Sequence, residues 1–129
     1  MSGNTFQNTG DFRGAALFQG STIHNAGQIA GTLKNADDQS RQGLQALLQQ
    51  LADALKTVPP DRVEDAEAVG ASAEDILKES AKDQPNKSRL RSLATAFTET
   101  AKTIGAAAPA VLSIADKIVG IITKIHGLG

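Results

Sequence analysis

Several residue types that commonly build functional sites are missing from this chain or scarce in it. It has no Cys, Trp or Tyr, and only two His among its 129 residues. Without Cys there is no disulfide framework, no thiolate zinc site and no Cys nucleophile. The two histidines, His24 and His126, each lack a second ligand at a metal-binding spacing. We therefore expect no metal and no cofactor.

The usual sequence signatures of enzymes are also missing. The stretch Gly10-Asp11-Phe12-Arg13-Gly14 has two glycines, but no Gly-Lys-Ser/Thr follows, so it is not a phosphate-binding loop. Eight acids between residues 61 and 83 lie on a predicted amphipathic helix. A catalytic carboxylate pair needs a pocket that shifts its pKa values, and nothing in the sequence predicts one. We expect no catalytic residues and a protein that is not an enzyme.

Charge and hydropathy exclude several classes of partner. The formal net charge is -1, and basic residues interleaved with aromatics are absent, so we expect no nucleic-acid partner. The most apolar stretch, about residues 103–122, is interrupted by Pro109, Asp116 and Lys117 and predicts no transmembrane span. Residues 1–5 lack the basic start and apolar run of a secretion signal. The expected location is cytoplasmic.

Residues 1–34 differ from the rest of the chain. They carry only three charged residues, yet hold six of the twelve Gly and three of the four Phe. Short apolar patches alternate with turn signals such as Asn8-Thr9-Gly10-Asp11 and Gln19-Gly20-Ser21. This alternation predicts two or three short strands or extended pieces. A disordered tail is the alternative, although disordered segments usually combine low hydrophobicity with high net charge.

Residues 35–129 are helical by pattern. Apolar residues at the spacing i, i+3, i+4, i+7 predict four helices, over about Asp37–Thr57, Pro60–Lys82, residues 86–104 and Pro109–His126. The fold class is therefore predicted as α+β, mainly α. A β or extended assembly segment (1–34) precedes an antiparallel bundle of three to four amphipathic helices (35–129), and together they form one structural unit.

Charge and hydropathy also predict how these helices pair. Residues 61–83 have eight acids and three bases, whereas residues 87–124 have six bases and two acids. Opposite charges favour an antiparallel hairpin of the second and third predicted helices. The last helix is apolar over a wide face, so it needs more than one neighbour. The alternative for that helix is a membrane-active amphipathic segment, although its two Lys are few for such a role.

The N-terminal segment predicts self-association. Two or three strands are marginally stable alone, and uncharged strands rich in Asn, Gln, Thr and Gly lack the usual protection against edge-to-edge pairing. The sequence therefore predicts a homo-oligomeric scaffold or adaptor that assembles through this segment; the alternative is a membrane-active effector that uses the last helix. The predicted assembly interface consists of large apolar residues: Phe6, Phe12, Leu17, Phe18, Ile23 and Ile29.

The box Asn8-Thr9-Gly10-Asp11-Phe12-Arg13-Gly14-Ala15 carries a family resemblance. Together with helical stretches such as Leu55-Lys56-Thr57-Val58-Pro59 and Ala108-Pro109-Ala110-Val111-Leu112, it resembles a group of small, uncharacterised bacterial modules. Such modules occur alone or beside NTPase, caspase-like and other effector proteins of bacterial conflict systems. The resemblance implies an adaptor role in defence or signalling, with an effector protein as a partner, and implies no catalytic residues.

Overall fold

The computed structural model describes residues 20–128, and this part of the chain is mainly α-helical, as predicted. This described part has five α-helices, and a short 3-10 turn, Pro60–Arg62, precedes the third of them. The helices are α1 (Ser21–Ala30), α2 (Asp38–Leu55), α3 (Val63–Ser80), α4 (Lys87–Ile104) and α5 (Pro109–His126).

Local sequence signals explain where these helices begin and end. The Asp37 carboxylate accepts a hydrogen bond of 2.7 Å from the Ser40 N–H and caps α2, and the Asn86 side chain accepts one of 2.9 Å from the Arg89 N–H and caps α4. Pro109 is the first residue of α5, and Gly127, with a φ of 62°, ends it. Each of the four predicted helices is confirmed by an observed one, α2 to α5, with ends within a few residues.

The helices form a closed ring. α1 packs against α2 and α3, α5 packs against α2 and α4, and α3 packs against α4. The predicted hairpin of the second and third helices is therefore confirmed as α3 and α4, and α5 has the two neighbours that its wide apolar face requires. α1 and α3 run parallel, since Gly70 lies beside Ile23 and Glu74, one turn further along α3, contacts Asn25, which is further along α1.

All five helices contribute to one core, which is built almost wholly from aliphatic side chains. Phe97 on α4 is the aromatic residue within it and is fully buried. At about 1.5–3 kcal/mol for each large apolar side chain, this burial is the main stabilising contribution to the bundle. Its largest fully buried side chains are Phe97, Ile23, Leu33, Leu44, Leu48, Leu51, Leu55, Ile76, Leu77, Leu90, Ile104 and Ile118.

The prediction of strands throughout residues 1–34 is wrong for residues 21–30, which form α1. Ile23, Ala26 and Ala30 follow helical spacing and are buried against α2 and α3. Gly70 on α3 allows the close approach, because a Cβ built there would lie 3.2 Å from Ile23 Cγ1. Burial of this face outweighs the poor helix propensity of Gly, Asn and Thr in α1. The extended conformation predicted for residues 1–19 lies outside the described residues.

Candidate functional site

A groove of about 520 Å³ lies between α1 and α2. Its floor is formed by the core residues Ile23 from α1 and Leu48 and Ala52 from α2, which are 1%, 1% and 9% exposed. Because the two helices are antiparallel, the N-terminal end of α1 and the C-terminal end of α2 form one end of the groove. The full set of lining residues is Gly20, Ser21, Ile23, His24, Gly27, Gln28, Gln45, Leu48, Gln49, Ala52 and Lys56.

The polar lining of the groove is dominated by side-chain amides. Gln28, Gln45 and Gln49 are all exposed. The Gln45 Nε2 donates a hydrogen bond of 3.4 Å to the Gly27 carbonyl, and the Gln28 Nε2 lies 3.3 Å from the His24 Nε2. An amide both donates and accepts hydrogen bonds, so this lining suits an uncharged polypeptide. The exposed lining of the groove is therefore mainly polar, and its amides can both donate and accept hydrogen bonds.

Two glycines shape the groove. Gly27 is half-buried in the middle of α1, and a Cβ built on it would have no heavy atom within 4 Å, so its missing side chain leaves open space. Gly20 lies at the N-terminal edge of α1 with a φ of 76°, which favours glycine. Its carbonyl accepts a hydrogen bond of 2.9 Å from the His24 N–H. The chain preceding residue 20 thus joins the bundle at the edge of the groove.

Ser and His, two residue types common in catalytic sites, both occur in the groove lining. Ser21 and His24 both line it, but no hydrogen bond joins their side chains in the described part of the chain. Neither Asp nor Glu occurs among the lining residues, and Lys56 is the lining residue with a permanent charge. The exposed lining therefore offers mainly hydrogen bonds from side-chain amides.

A Ser–His contact lies at the opposite end of the bundle from Gly20. Ser80 Oγ on α3 is 2.5 Å from the His126 Nε2 on α5. Burial lowers the pKa of His126, and the charge of Lys87 lowers it further, so the neutral ring is favoured and the Ser80 hydroxyl can donate to it. Ser80 is only 2% exposed, which leaves a substrate no access to its hydroxyl. The pair attaches the C-terminal turn of α5 to α3.

Glu79, next to this pair, is a buried carboxylate with three partners. It is 3% exposed and accepts a hydrogen bond of 3.0 Å from the Asn86 N–H. Lys82 Nζ and Arg89 Nε lie 2.9 Å and 3.1 Å from its Oε1. The Asn86 N–H, and then Lys82 and Arg89, hold the pKa of Glu79 below its usual value. The residue therefore stays charged and fixes the α3–α4 turn.

Within residues 20–128 no group of three or more His, Cys, Asp or Glu side chains could hold a metal ion. None of the described helices is both long enough and apolar enough to cross a membrane.

The predicted interface residues that the structure describes differ in how exposed they are. Ile23 is 1% exposed in the core beside Gly70, and Ile29 is half-buried. Phe6, Phe12, Leu17 and Phe18 lie outside the described residues. Sequence reasoning missed the groove itself. The signal that would have revealed the α1 side of it is the helical spacing of Ile23, Ala26 and Ala30.

The chain was compared with known protein families, with curated proteins and with solved structures, and no match was found in any of the three comparisons.

Proposed function

We propose that this protein is a non-catalytic, self-assembling scaffold or adaptor that oligomerises through its uncharged N-terminal segment. One observation carries the proposal. The segment joins the bundle at Gly20, on the edge of a groove with an apolar floor and an amide-rich lining. The site where the segment begins is thus also a surface with the chemistry to bind a peptide of its kind.

The composition of residues 1–19 supports an assembly role. They contain one acid and one base, Asp11 and Arg13, together with three Phe and Leu17. Each large apolar side chain contributes roughly 1.5–3 kcal/mol when it is fully buried. Four such residues buried between copies would offset a large part of the entropy lost when a short segment becomes ordered.

The setting of this role is also part of the proposal. The resemblance of the Asn8–Ala15 box to small bacterial modules supports an adaptor in a defence or signalling system, with an effector protein as a second partner. Such a protein would act in the cytoplasm. On this proposal the helical bundle is the folded body that each copy contributes, and the N-terminal segment links the copies.

Native mass spectrometry of the full chain tests the proposal. We expect masses at multiples of 13.4 kDa that persist on dilution into the low micromolar range. Electron microscopy of the same sample would show whether the copies form rings or filaments. A 13.4 kDa monomer at every concentration up to about 100 µM would contradict self-assembly, because an interface of standard size gives micromolar or tighter binding.

A membrane-active effector is the second candidate, and one observation favours it. Several apolar residues of α5 are only half-buried in the bundle: Leu112, Val119, Ile121 and Ile125. Insertion would also require α5 to withdraw its buried face, which includes Ile118 and Ile122, from the core.

Dye leakage from anionic liposomes tests this second candidate. If it is correct, micromolar protein releases the dye, and Val119→Asp, which changes a half-buried position outside the core, reduces the release. If the liposomes retain the dye at micromolar protein, this second candidate is wrong and α5 acts only as a bundle helix.

A further inference from the structure

We propose that copies of this chain stack end to end, with an acidic surface at one end of each bundle against a basic surface at the opposite end of the next. The inference rests on the proposed self-assembly and adds the orientation of the copies. The acidic surface consists of Asp61, Glu64 and Glu67, at the start of α3. The basic surface consists of Lys87 and Arg91 on α4 and Lys124 on α5.

Charge is sorted along the axis of the bundle. At the end that includes Gly20, residues 53–67 and 99–110 have six acids and three bases. At the opposite end, residues 34–41, 78–91 and 124–128 have eight bases and four acids. Contacts between distant helices define the two ends, since Arg62 donates to the Thr103 carbonyl at the first and Ser80 bonds to His126 at the second. The two ends of each copy therefore carry charges of opposite sign.

The charged groups of both surfaces are accessible to another molecule. Asp61 and Glu64 are exposed, and so are Lys87, Arg91 and Lys124. Among residues 20–128, no base forms an ion pair with the acids of the acidic surface, and no acid forms one with the cations of the basic surface. These charges can therefore pair with a second copy without breaking an ion pair within the bundle.

The stability of α4 does not explain the basic surface. α4 begins at Lys87, and its first turn has no acid. The N-terminus of a helix carries a partial positive charge, which favours the acids at the start of α3 but disfavours cations at the start of α4. Lys87 also lies close enough to His126 for its charge to lower the pKa of that ring. The acidic surface of a second copy supplies the opposite charge that the basic surface lacks within its own bundle.

The end of the bundle is too small to hold two copies together alone. Five helices, each about 10 Å across, present an end of roughly 400 Å². A standard interface buries about 800 Å² on each partner. Complementary charge sets orientation and speeds encounter more than it adds affinity. Because Gly20 lies at the acidic end, the N-terminal segment of each copy begins at the junction between copies, where it would supply the further burial.

This contact joins two different surfaces, so it propagates. The basic surface of one copy would meet the acidic surface of the next, whose own basic surface stays available for a third copy. Head-to-tail contacts of this kind close into rings or extend into filaments. The inference therefore predicts oligomers larger than a symmetric dimer.

Reversing the basic surface is the first test. Lys87→Glu/Arg91→Glu places an acid in the first turn of α4, so thermal stability should stay equal or rise. We expect the concentration for half-assembly at low salt to rise at least about fivefold, since attractive contacts become repulsive, and the difference to shrink at high salt.

The matched control for this reversal is Lys102→Glu/Lys117→Glu. It changes the net charge equally at two exposed positions and leaves the basic surface intact, so it should assemble at or below the wild-type concentration. Assembly of Lys87→Glu/Arg91→Glu at the wild-type concentration would overturn the inference.

Exchanging the charges between two proteins is the second test, and it identifies the occupant as another copy. Asp61→Lys/Glu64→Lys reverses the acidic surface and should also assemble poorly alone. Mixed in equal amounts with Lys87→Glu/Arg91→Glu, it meets a protein of opposite charge at both ends, and we expect light scattering to show that assembly recovers. If both variants keep the helical circular dichroism spectrum and the mixture stays as weakly assembled as each alone, the inference is wrong.

The proposed function fails separately from this inference. A wild-type protein that is monomeric up to about 100 µM contradicts self-assembly, and the end-to-end contact falls with it. If the wild-type protein is oligomeric and neither reversal changes its assembly, only the end-to-end orientation is wrong.

Discussion

The two ends of the bundle are stabilised in different ways. At one end, here called the clamped end (residues 31–37, 79–89 and 124–128), polar side chains connect α3 to α4, to α5 and to the loop after α1. Ser80 bonds to His126, Lys34 pairs with Asp83, and Glu79 holds the α3–α4 turn. At the other end, here called the entry end (residues 20–22, 56–62 and 105–108), the polar contacts of the described residues centre on Arg62, which pairs with Asp65 and donates to the Thr103 carbonyl.

This difference indicates a division of roles. The polar contacts that fix the helix ends are concentrated away from Gly20, where the N-terminal segment joins the bundle. The groove begins at the entry end, beside Gly20 and Lys56, and extends along α1 to Gln28. If the protein is the proposed scaffold, it needs a stable body and an accessible surface, and the two ends separate these requirements. The following predictions test that separation by changing one end at a time.

The largest effect is expected at Glu79. Glu79→Ala leaves the Asn86 N–H without its acceptor and should lower the free energy of unfolding by about 2 kcal/mol, as measured by urea denaturation. Glu79→Gln is the control, because its amide oxygen can still accept that bond, and it should cost about half as much. A loss below about 0.5 kcal/mol for Glu79→Ala would mean that the clamped end does not depend on this carboxylate.

The next effect concerns the entry end. Gly20→Ala places a Cβ at a φ of 76°, which costs about 1–2 kcal/mol for an L-residue. Thermal unfolding should show the loss, whereas Gly120→Ala, in the interior of α5 and with open space around it, should stabilise the fold by up to about 1 kcal/mol. If the two variants have the same melting temperature, Gly20 does not hold the left-handed conformation in solution.

A smaller effect is expected from pH at the clamped end. Because burial lowers the pKa of His126 in the fold, the unfolded chain binds the proton more tightly, so this residue stabilises the fold above about pH 6.5. That contribution is lost as pH falls through the folded pKa. Since His126 is partly exposed, the loss should stay below about 1 kcal/mol between pH 7.5 and pH 5.

His126→Gln is the variant that isolates this effect. The pKa values of Asp37, Glu79 and Asp83 are lowered in the fold, so the contribution of these carboxylates to stability is lost only below about pH 5. Urea unfolding of His126→Gln should therefore give the same midpoint at pH 7.5 and pH 5. If the stability of His126→Gln changes with pH as much as that of the wild-type protein, another group causes the pH dependence.

The smallest effect is expected for the ion pair of Lys34 with Asp83. Its Nζ–Oδ1 distance is 2.7 Å, but the two side chains are 73% and 82% exposed. Exposed pairs contribute little, so Lys34→Ala should leave the urea midpoint close to that of the wild-type protein. A loss comparable with that of Glu79→Ala would show that the clamped end depends on its surface charges rather than on its buried groups.

The sequence predicted α2 to α5 because their signals are strong and local. One continuous face of α2 is marked by Leu44, Leu48, Leu51 and Leu55. Asn86 can be recognised as a cap because it comes just before apolar residues at helical spacing. α1 was missed because small residues form most of its buried face. Ala26 and Ala30 pack well in a helix but give a weak hydrophobic period, and the adjacent Gly and Asn residues indicated turns.

The candidate site was not predictable for a different reason. The groove depends on which faces of α1 and α2 meet, and the sequence does not give that pairing. The Ser80–His126 contact likewise joins residues 46 positions apart on helices that are not consecutive. What the sequence did indicate was the unusual character of the N-terminal residues, and the structure adds the groove beside the point where they join the bundle.

Light scattering tests the central proposal of self-assembly through the N-terminal segment most directly. The full chain should be measured beside a full-length variant that carries Phe6→Ser, Phe12→Ser and Phe18→Ser and that keeps every buried core residue of the bundle. We predict that the wild-type protein has a mass of several times 13.4 kDa and that the variant is monomeric with an unchanged helical circular dichroism spectrum. Equal masses for the two proteins, whether monomeric or oligomeric, would contradict the proposal.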